Sequence, residues 1–391
     1  MNIIIITPDI YPFQKGYGGR NPLNLFEAFS RMGHATSLLT SVPDRDIREY
    51  DGNEIIKLFE IVKLHSIESI PRDFDYFFPP YMRDIRKIKK LLRGKDYDII
   101  IINDYFWALS FLALLFMGKR NRAHTIMIDH GIISPSGFLI RSFFSVFSII
   151  ASKVFISQLN GILSYSKRSH NQIQKIVNSK IKSFIHPSCI DSTQFIKEYE
   201  KCLKFPESYL HEKFSIHGRF IFAIGAASPH KGYSNLINAF DKIREEFVDV
   251  SLVIAGQLTS HTDSLRNLTI KLNISNRVKF IGQIKEDEKF FMIRKSSLFV
   301  IPSLSEGFGA GAVEADILGV KVVATDTGAH RDVLTKNKFA KIVIPGDDEG
   351  LYNAMKELLL MPEEPPRKLN MDKLNSYSCE SLASFIISMA K

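Results

Sequence analysis

The sequence predicts an α/β protein of two Rossmann-like domains, each built on its own doubly wound parallel sheet. Three observations lead to this prediction. The chain has 391 residues, 45% of them hydrophobic, which is enough for two cores of ordinary size. Short β-rich runs alternate with longer amphipathic stretches, as in parallel βα units. A polar, irregular segment separates two such series, and two sheets facing each other would form a cleft between the domains.

The predicted strands are continuous apolar runs, as expected for strands that are buried on both faces of a parallel sheet. The first series lies at residues 2–6, 35–40, 98–103, 124–129 and 161–165. The second series lies at residues 219–225, 250–256, 277–281, 298–301, 320–325 and 341–344.

These series predict an N-terminal domain over residues 1–190, an interdomain connection over 191–218 and a C-terminal domain over 219–370. Residues 371–391 follow a proline-rich break and are predicted to hold a last helix that packs back on the N-terminal domain.

The net positive charge is confined to the N-terminal half. Residues 1–190 hold 25 lysines and arginines against 16 acidic residues, whereas the rest of the chain holds 26 of each. Such a surface suits an anionic membrane surface or a phosphorylated acceptor, and it is equally what a solvated basic face would show. We expect no nucleic-acid partner, because no binding module is recognisable and the basic residues lack interleaved aromatics.

The three cysteines, Cys189, Cys202 and Cys379, are scattered and have no metal-ligand spacing. We therefore expect neither a disulfide framework nor a bound metal, and we expect a cytoplasmic location.

The apolar segments of the chain predict no targeting signal and no transmembrane helix. The N-terminal run is short and has no basic leader, so it is typical of a buried strand. The stretch 138–159 is interrupted by Arg141 and Lys153, and a bilayer span needs about 20 uninterrupted apolar residues.

A glycine-rich segment after the predicted strand 298–301 is the strongest local signal. It reads Pro302-Ser-Leu-Ser-Glu-Gly-Phe-Gly-Ala-Gly-Ala-Val-Glu-Ala315, and its helix is predicted to begin near Gly309. Unpaired N–H groups and the positive end of a helix dipole make such a turn an anion site.

Glu306 and Glu314 are eight residues apart in this segment. In one continuous helix they would lie about 12 Å apart along the axis and on different faces. We therefore place Glu306 in the turn and Glu314 about one turn into the helix, each reaching a different part of one elongated ligand. Glutamates at the start of a helix are also common as solvated residues, and spacing alone does not decide between these interpretations.

The pattern Glu306-Gly-Phe-Gly…Glu314-Ala resembles the E-x7-E element of retaining glycosyltransferases of the GT-B fold, particularly glycosyltransferase family 4, or glycosyl transferases group 1. Gly225 followed by Lys231 and Gly232 is similar to the family's phosphate-binding turn. The resemblance is specific from about residue 219 onward and mostly topological before it. Further segments in the family's order are 251–256, 278–282 and 322–328.

The resemblance implies roles in the C-terminal half. Lys231 would pair with the donor phosphates, Glu306 would hold sugar hydroxyls and help the cationic transition state, and Glu314 would bind ribose hydroxyls. No cofactor and no metal ion are implied. Lys231 could equally be a surface lysine after a turn. The phosphate cradle would be completed by the backbone amides of Gly309, Ala310 and Gly311, and the nucleobase contact by Gln283 and Ile284.

In the N-terminal half, Gly16-Tyr17-Gly18-Gly19 resembles the family's glycine loop that closes over the phosphates, although it could be any flexible turn. His130 follows a strand and matches the family's cleft histidine near the donor sugar, with a structural role as the alternative. Asp104 and Trp107 follow another strand end and would touch the acceptor or form part of a core or rim.

One departure from the family concerns an arginine that commonly follows the glycine equivalent to Gly225. Ala226 and Ala227 occupy those places here. The loss removes a strong bidentate phosphate contact, for which His230 and Arg331 are nearby candidates as substitutes.

The sequence thus leads to the hypothesis of a retaining transferase that moves a sugar from a UDP- or GDP-sugar to a hydroxyl of a glycan or lipid-linked acceptor, in bacterial surface polysaccharide or glycolipid synthesis. One alternative is a catalytically weakened protein of the same fold that acts as a binding or regulatory subunit. Another is a nicotinamide-dependent oxidoreductase, which the absence of a well-formed G-x-G-x-x-G in the first half disfavours.

Overall fold

The computed structural model of the protein describes residues 1–7, 17–42, 55–59, 82–103, 108–117, 123–129, 158–175, 181–362 and 368–391. The chain divides into two compact units. One consists of Met1–Ile190 with Tyr377–Lys391, and the other of Asp191–Ser376.

The described strands of the first unit form one parallel sheet in the order β3-β2-β1-β4-β5-β6-β7. The order runs outward in both directions from β1 and β4, which makes the sheet doubly wound. The strands are β1 (Asn2–Thr7), β2 (Ala35–Val42), β3 (Ile55–Phe59), β4 (Ile99–Asn103), β5 (His124–Asp129), β6 (Gly161–Ser164) and β7 (Lys182–Ile185). The helices before the second unit are α1 (Tyr17–Arg31), α2 (Met82–Gly94), α3 (Ala108–Met117) and α4 (Lys167–Gln174).

The central strands of this sheet explain its sequence pattern. The isoleucines at positions 3–6 of β1 and 99–102 of β4 are completely buried and pair with one another in register. Strands covered on both faces have no polar side to alternate with the apolar one. The continuous isoleucine runs therefore follow from the doubly wound architecture.

The second unit holds a six-stranded parallel sheet in the order β10-β9-β8-β11-β12-β13. Its strands are β8 (Arg219–Ile224), β9 (Val250–Ala255), β10 (Val278–Gly282), β11 (Leu298–Ile301), β12 (Val322–Thr325) and β13 (Ala340–Val343). Its helices are α5 (Ser192–Cys202), α6 (Tyr209–Phe214), α7 (Tyr233–Glu246), α8 (Ser260–Lys271), α9 (Glu286–Lys295), α10 (Ala310–Leu318), α11 (His330–Leu334), α12 (Asp348–Leu360) and α13 (Met371–Ser376). A short 3-10 turn, Pro229–Lys231, precedes α7.

All the predicted strands are present, and the doubly wound architecture of both sheets is confirmed. The prediction missed β3 and β7, which lie at the two edges of the first sheet. In β7, Lys182 and Ile185 are exposed and the residues between them are half-buried. An edge strand needs no continuous apolar run, so its sequence carries a weaker signal.

The prediction of an interdomain connection at residues 191–218 is wrong, because α5 and α6 lie within the second unit. The ring of Phe195 in α5 packs on Phe290 of α9 with 4.4 Å between ring centroids. Glu288 of α9 accepts hydrogen bonds from Tyr209 and Lys213 of α6. The segment is polar overall, but its few apolar residues share one helix face, which overall polarity conceals.

The last helix, α14 (Cys379–Met389), belongs to the first unit. Arg31 of α1 pairs with Glu380 at 2.8 Å, and Phe385 packs against Phe184 of β7. By contrast α13 stays with the second unit, where Lys373 pairs with the buried Asp316 at 2.6 Å. The chain therefore returns to the first unit at Tyr377.

Candidate active site

The candidate site lies at the carboxyl edge of the second sheet, where β8, β11 and β12 are neighbours. The turns that follow these strands are joined by hydrogen bonds. The N–H of Leu304 donates to the carbonyl of His230 at 2.7 Å, and the N–H of Ala329 donates to the carbonyl of Phe308 at 2.8 Å. In open α/β sheets this edge is the one that binds ligands.

Lys231 and Glu306 are in contact at this edge of the sheet. The Nζ of Lys231 lies 2.5 Å from the Oε1 of Glu306. The hydroxyl of Ser303 donates to the same carboxylate oxygen at 2.7 Å. The site therefore contains an ion pair whose carboxylate also accepts a hydrogen bond from a buried serine.

Gly232 allows the two turns to approach closely. It has a φ of 66°, and a Cβ atom there would lie 2.0 Å from the carbonyl oxygen of Pro302. Any side chain would push the turn that carries Lys231 away from the turn that carries Glu306. The close approach of the two turns thus explains why a glycine follows Lys231.

The Glu306 carboxylate is ionised in the folded protein. Burial alone would raise its pKa, but the ammonium of Lys231 and the hydrogen bonds from Lys231 and Ser303 outweigh burial, so the pKa of Glu306 is lowered. Because only 16% of the side chain is exposed, water contributes little to this balance.

The start of α10 presents unpaired backbone N–H groups. Gly309 has a φ of 93° and precedes the helix without any side-chain cap. Among the described residues, none accepts a hydrogen bond from the N–H of Gly309, Ala310 or Gly311. The ring of the buried His330 lies against Gly309. A helix start of this kind can bind an anion, because its N–H groups point outward without partners.

Glu314 lies in α10, about one turn from its start, where the sequence placed it. Its carboxylate pairs with the Nζ of Lys289 at 2.6 Å, and the same ammonium pairs with Glu286 at 2.6 Å. Burial alone would lower the pKa of Lys289, but these two carboxylates raise it. Sequence reasoning missed Lys289, because a lysine in the first turns of a helix is ordinarily solvated.

Gln283 and Ile284 follow β10 directly and lead into α9, which carries Lys289. Gln283 is exposed and Ile284 is half-buried. The structure thus places them at the carboxyl edge of the same sheet, where the sequence put them.

The N-terminal candidates have a different outcome. The structure places Gly18 and Gly19 within α1, so the prediction that they lie in a loop before the helix is wrong. The helix runs from Tyr17 to Arg31 and includes Pro22. His130, Asp104 and Trp107 lie outside the described residues.

The two candidate substitutes for the family's arginine are constrained. The guanidinium of Arg331 donates twice to the carboxylate of Asp326, at 3.0 and 2.8 Å. The pKa of His230 is lowered by burial and by the neighbouring Lys231, which favours the neutral ring. Neither side chain offers a free cation at neutral pH in the structure as it stands.

Within the ranges that the structure describes, no group of three or more His, Cys, Asp or Glu residues is arranged to hold a metal ion. No helix in those ranges is long and apolar enough to cross a membrane.

The two compact units, each built on a doubly wound parallel sheet, match the architecture of the GT-B fold. Solved structures agree on the fold. Sucrose-phosphate synthase from Thermosynechococcus elongatus matches with a TM-score of 0.74 and 18% identity over 99% of this chain and 98% of that one. HepE of Anabaena, in complex with UDP and glucose, matches with a TM-score of 0.63 and 16% identity over 100% and 97%.

Family models match both halves of the chain: Glycosyltransferase Family 4 over residues 19–192 and Glycosyl transferases group 1 over residues 211–372. The chain is 31% identical to the MMP alpha-(1->4)-mannosyltransferase of Mycolicibacterium hassiacum, over 83% of this chain and 78% of that protein. The protein belongs to glycosyltransferase family 4.

Two further relatives are mannosyltransferases. The O-antigen chain mannosyltransferase RfbU of Salmonella typhimurium is 26% identical over 62% of both chains. The phosphatidyl-myo-inositol mannosyltransferase of Mycolicibacterium smegmatis is 30% identical over 69% of this chain and 64% of that protein. The matched segments thus span slightly less than two thirds of the length of these two relatives.

Proposed function

We propose that the protein is a retaining, metal-independent glycosyltransferase that moves a hexose-type sugar from a UDP- or GDP-sugar to a hydroxyl of a glycan or lipid-linked acceptor. The contact between Lys231 and Glu306 beside the unpaired N–H groups of α10 carries this proposal. A cation, a carboxylate and free N–H groups are what a sugar diphosphate needs for binding. The mannosyltransferase relatives support the same class of reaction.

In the first step a donor diphosphate would replace Glu306 as the partner of Lys231. The lysine has a flexible stem, and its side chain is 23% exposed, so it can swing from one anion to another. The N–H groups of Gly309, Ala310 and Gly311 would bind the phosphate oxygens. These groups would stabilise the leaving nucleoside diphosphate without a metal ion.

Glu306, once released by Lys231, would accept hydrogen bonds from hydroxyls of the transferred sugar. As a carboxylate it would also stabilise the positive charge that develops on the sugar ring. The same ion pair thus holds both groups in place before the donor arrives.

Retention follows if the acceptor attacks the face from which the diphosphate departs. The bond from the anomeric carbon to the phosphate oxygen breaks, and the acceptor oxygen forms the new bond. The acceptor's proton passes to the departing phosphate oxygen, so no separate general base is needed. A product of inverted anomeric configuration would refute this mechanism.

The remaining site residues are assigned by their resemblance to the family. Glu314 would bind the ribose hydroxyls, in competition with Lys289 for the same carboxylate. Gln283 and Ile284 would contact the nucleobase, and Gly18 and Gly19 the donor phosphates. His130 would contact the donor sugar, and Asp104 and Trp107 the acceptor.

We propose that the protein works in bacterial surface polysaccharide or glycolipid synthesis, in the cytoplasm at the inner face of the membrane. Its relatives include an O-antigen chain mannosyltransferase and a phosphatidyl-myo-inositol mannosyltransferase. Lys167, Arg168 and Lys175 are exposed at α4, in a stretch without acidic residues. Binding to anionic liposomes that is lost when these three are neutralised would support the membrane assignment, and no binding by the parent protein would refute it.

A thermal-shift panel with UDP, GDP, ADP and NAD, with and without magnesium, tests the proposed function first. A ligand at 100 times its dissociation constant stabilises by about 2.7 kcal/mol. We expect one nucleoside diphosphate to raise the melting temperature independently of magnesium, and Lys231→Ala to abolish the rise. Stabilisation by NAD alone would favour an oxidoreductase instead.

A second candidate is a catalytically weakened protein that binds nucleotide sugars as a regulatory subunit. It is favoured by Ala226 and Ala227 and by the pairing of Arg331 with Asp326. Nucleotide binding without turnover of any UDP- or GDP-sugar, over a broad set of acceptors, would select it.

A further inference from the structure

His330 is the most deeply buried titratable side chain beside the proposed phosphate cradle. The residue has no exposed surface. Its Nε2 has no hydrogen-bond partner among the described residues, although it is shielded from water. A buried polar atom left without a partner is destabilising and uncommon in folded proteins.

The orientation of the ring is fixed at its other nitrogen. Nδ1 lies 2.8 Å from the carbonyl oxygen of Thr325. A carbonyl oxygen only accepts hydrogen bonds, so Nδ1 carries the hydrogen and Nε2 holds a lone pair in the neutral ring. A Cβ atom on Gly309 would lie 2.2 Å from Nε2 and 2.4 Å from Cδ2, so this edge of the ring lies against the residue that begins the cradle.

The charged groups that act on His330 are few. Glu306 and Asp326 favour a positive ring, whereas Lys231 and burial oppose it. Burial is the largest influence and lowers the pKa of His330, so the ring is neutral at pH 7 while the cradle is empty. An anion at the start of α10 would add negative charge beside a ring that already carries a free acceptor.

We propose that His330 takes up a proton on Nε2 when a nucleoside diphosphate binds at the start of α10. The resulting imidazolium supplies positive charge next to the diphosphate, where Ala226 and Ala227 provide none. The proton comes from solvent buffer and is released when the diphosphate leaves. His330 acts through the Gly309 turn, as a positioning residue that does not touch the reacting atoms.

This inference rests on the proposed function, because it requires a nucleoside diphosphate at α10. It has a consequence for affinity that a purely structural histidine would not produce. Each unit by which binding raises the pKa of His330 corresponds to a tenfold gain in affinity below that pKa. Binding should therefore strengthen as the pH falls from 8.5 towards 6.5.

Calorimetric titration of the full chain with UDP and with GDP tests the inference. The titrations are run at pH 7.5 in HEPES and in Tris, whose ionisation enthalpies differ, so that the difference in heat counts the protons taken up. We expect uptake of a substantial fraction of one proton, on the order of 0.5. We expect His330→Asn to remove it, because asparagine can keep the hydrogen bond to Thr325 but does not titrate. The titration of the nucleotide's own phosphate is common to both proteins and cancels in the comparison.

His230→Asn is the matched control, since His230 is an exposed histidine next to Lys231 in the neighbouring turn. The inference predicts that this variant keeps the uptake. Equal uptake in His330→Asn and the parent protein, or loss in His230→Asn alone, would overturn it. Binding of neither UDP nor GDP would refute the proposed function together with the inference, whereas binding without His330-dependent uptake would refute the inference alone.

A second measurement covers the case in which His330→Asn does not fold. The Cε1–H resonances of the histidines are followed by NMR in the unmodified protein at pH 7.5. A single resonance that moves to the imidazolium position in proportion to bound UDP supports the inference. If no histidine resonance moves in this way, the inference is overturned.

Discussion

The two glutamates of the E-x7-E segment are each held by a lysine from another element, yet their surroundings differ. Lys231 has one carboxylate partner, Glu306, and that carboxylate keeps a second donor in Ser303. Lys289 has two carboxylate partners, Glu314 and Glu286, and its side chain is only 12% exposed.

The difference indicates which of the two ion pairs, Lys231–Glu306 or Lys289–Glu314, a ligand can separate. When Lys231 leaves Glu306, the carboxylate still has the hydroxyl of Ser303, and the lysine finds a new anion in the donor. When Lys289 leaves, the carboxylate of Glu314, whose side chain is 14% exposed, loses its cation. We therefore expect the first pair to serve turnover and the second pair to serve the stability of the nucleotide site.

The largest expected effect is on turnover. Lys231→Ala should lower kcat by about 10²–10³-fold, because it removes a charge that stabilises the leaving diphosphate. Sugar transfer from the preferred donor is the measurement. The control is Lys242→Ala, which removes an exposed lysine paired with Glu349 in the same unit. If Lys289→Ala lowered kcat as much while leaving stability unchanged, the division of roles would be reversed.

The next effect is on stability. Lys289→Met should lower the free energy of unfolding by about 3 kcal/mol, because it leaves Glu314 and Glu286 without their cation. Urea unfolding at pH 7 measures it. Lys242→Met should change little, since that ion pair is exposed. An unchanged midpoint in Lys289→Met would contradict the assignment.

A smaller effect concerns Ser303. Ser303→Ala should lower kcat/KM by about tenfold, the equivalent of one hydrogen bond to a charged group. It should also raise the pKa of Glu306 and shift the acidic limb of the pH profile upward, because a donor to the ionised form is lost. Ser228→Ala, in the neighbouring turn, is the control. A profile that keeps its acidic limb would show that Ser303 does not act on Glu306.

The smallest effect is the pH dependence of stability. The folded-state pKa of Glu306 is lowered, so its ionised form stabilises the protein above the unfolded value of about 4.3. That contribution is lost as the pH falls through the lower folded-state pKa. The difference in unfolding free energy between the parent and Glu306→Gln should therefore shrink below pH 4.3. Glu245→Gln, at an exposed position of the same unit, is the control variant.

The sequence predicted the inner strands of both sheets because strands buried on both faces are continuous apolar runs. It missed the edge strands Lys182–Ile185 and Ile55–Phe59, where burial is not required of every side chain. It also took α5 and α6 for a connection, because charged residues outnumber the few that pack on α9.

In the site, the glycine-rich segment indicated the start of α10, and the resemblance to the family singled out Lys231, Glu306 and Glu314. It could not find Lys289, Ser303 or His330, whose partners are 25, 3 and 5 residues away on other turns or strands. A lysine in a helix, a serine after a strand and a buried histidine look ordinary in sequence. Only the fold brings them to the same edge.

The return of the chain to the first unit has a consequence for synthesis on the ribosome. Ile190 and Ser378 lie side by side in a parallel bridge, so the chain leaves and re-enters the first unit at one place. The second unit is a single uninterrupted stretch, whereas the first lacks α14 until the final 15 residues emerge. The second unit can thus complete its fold before the first unit does. A chain truncated before α14 would leave exposed the face of α1 that pairs with Glu380.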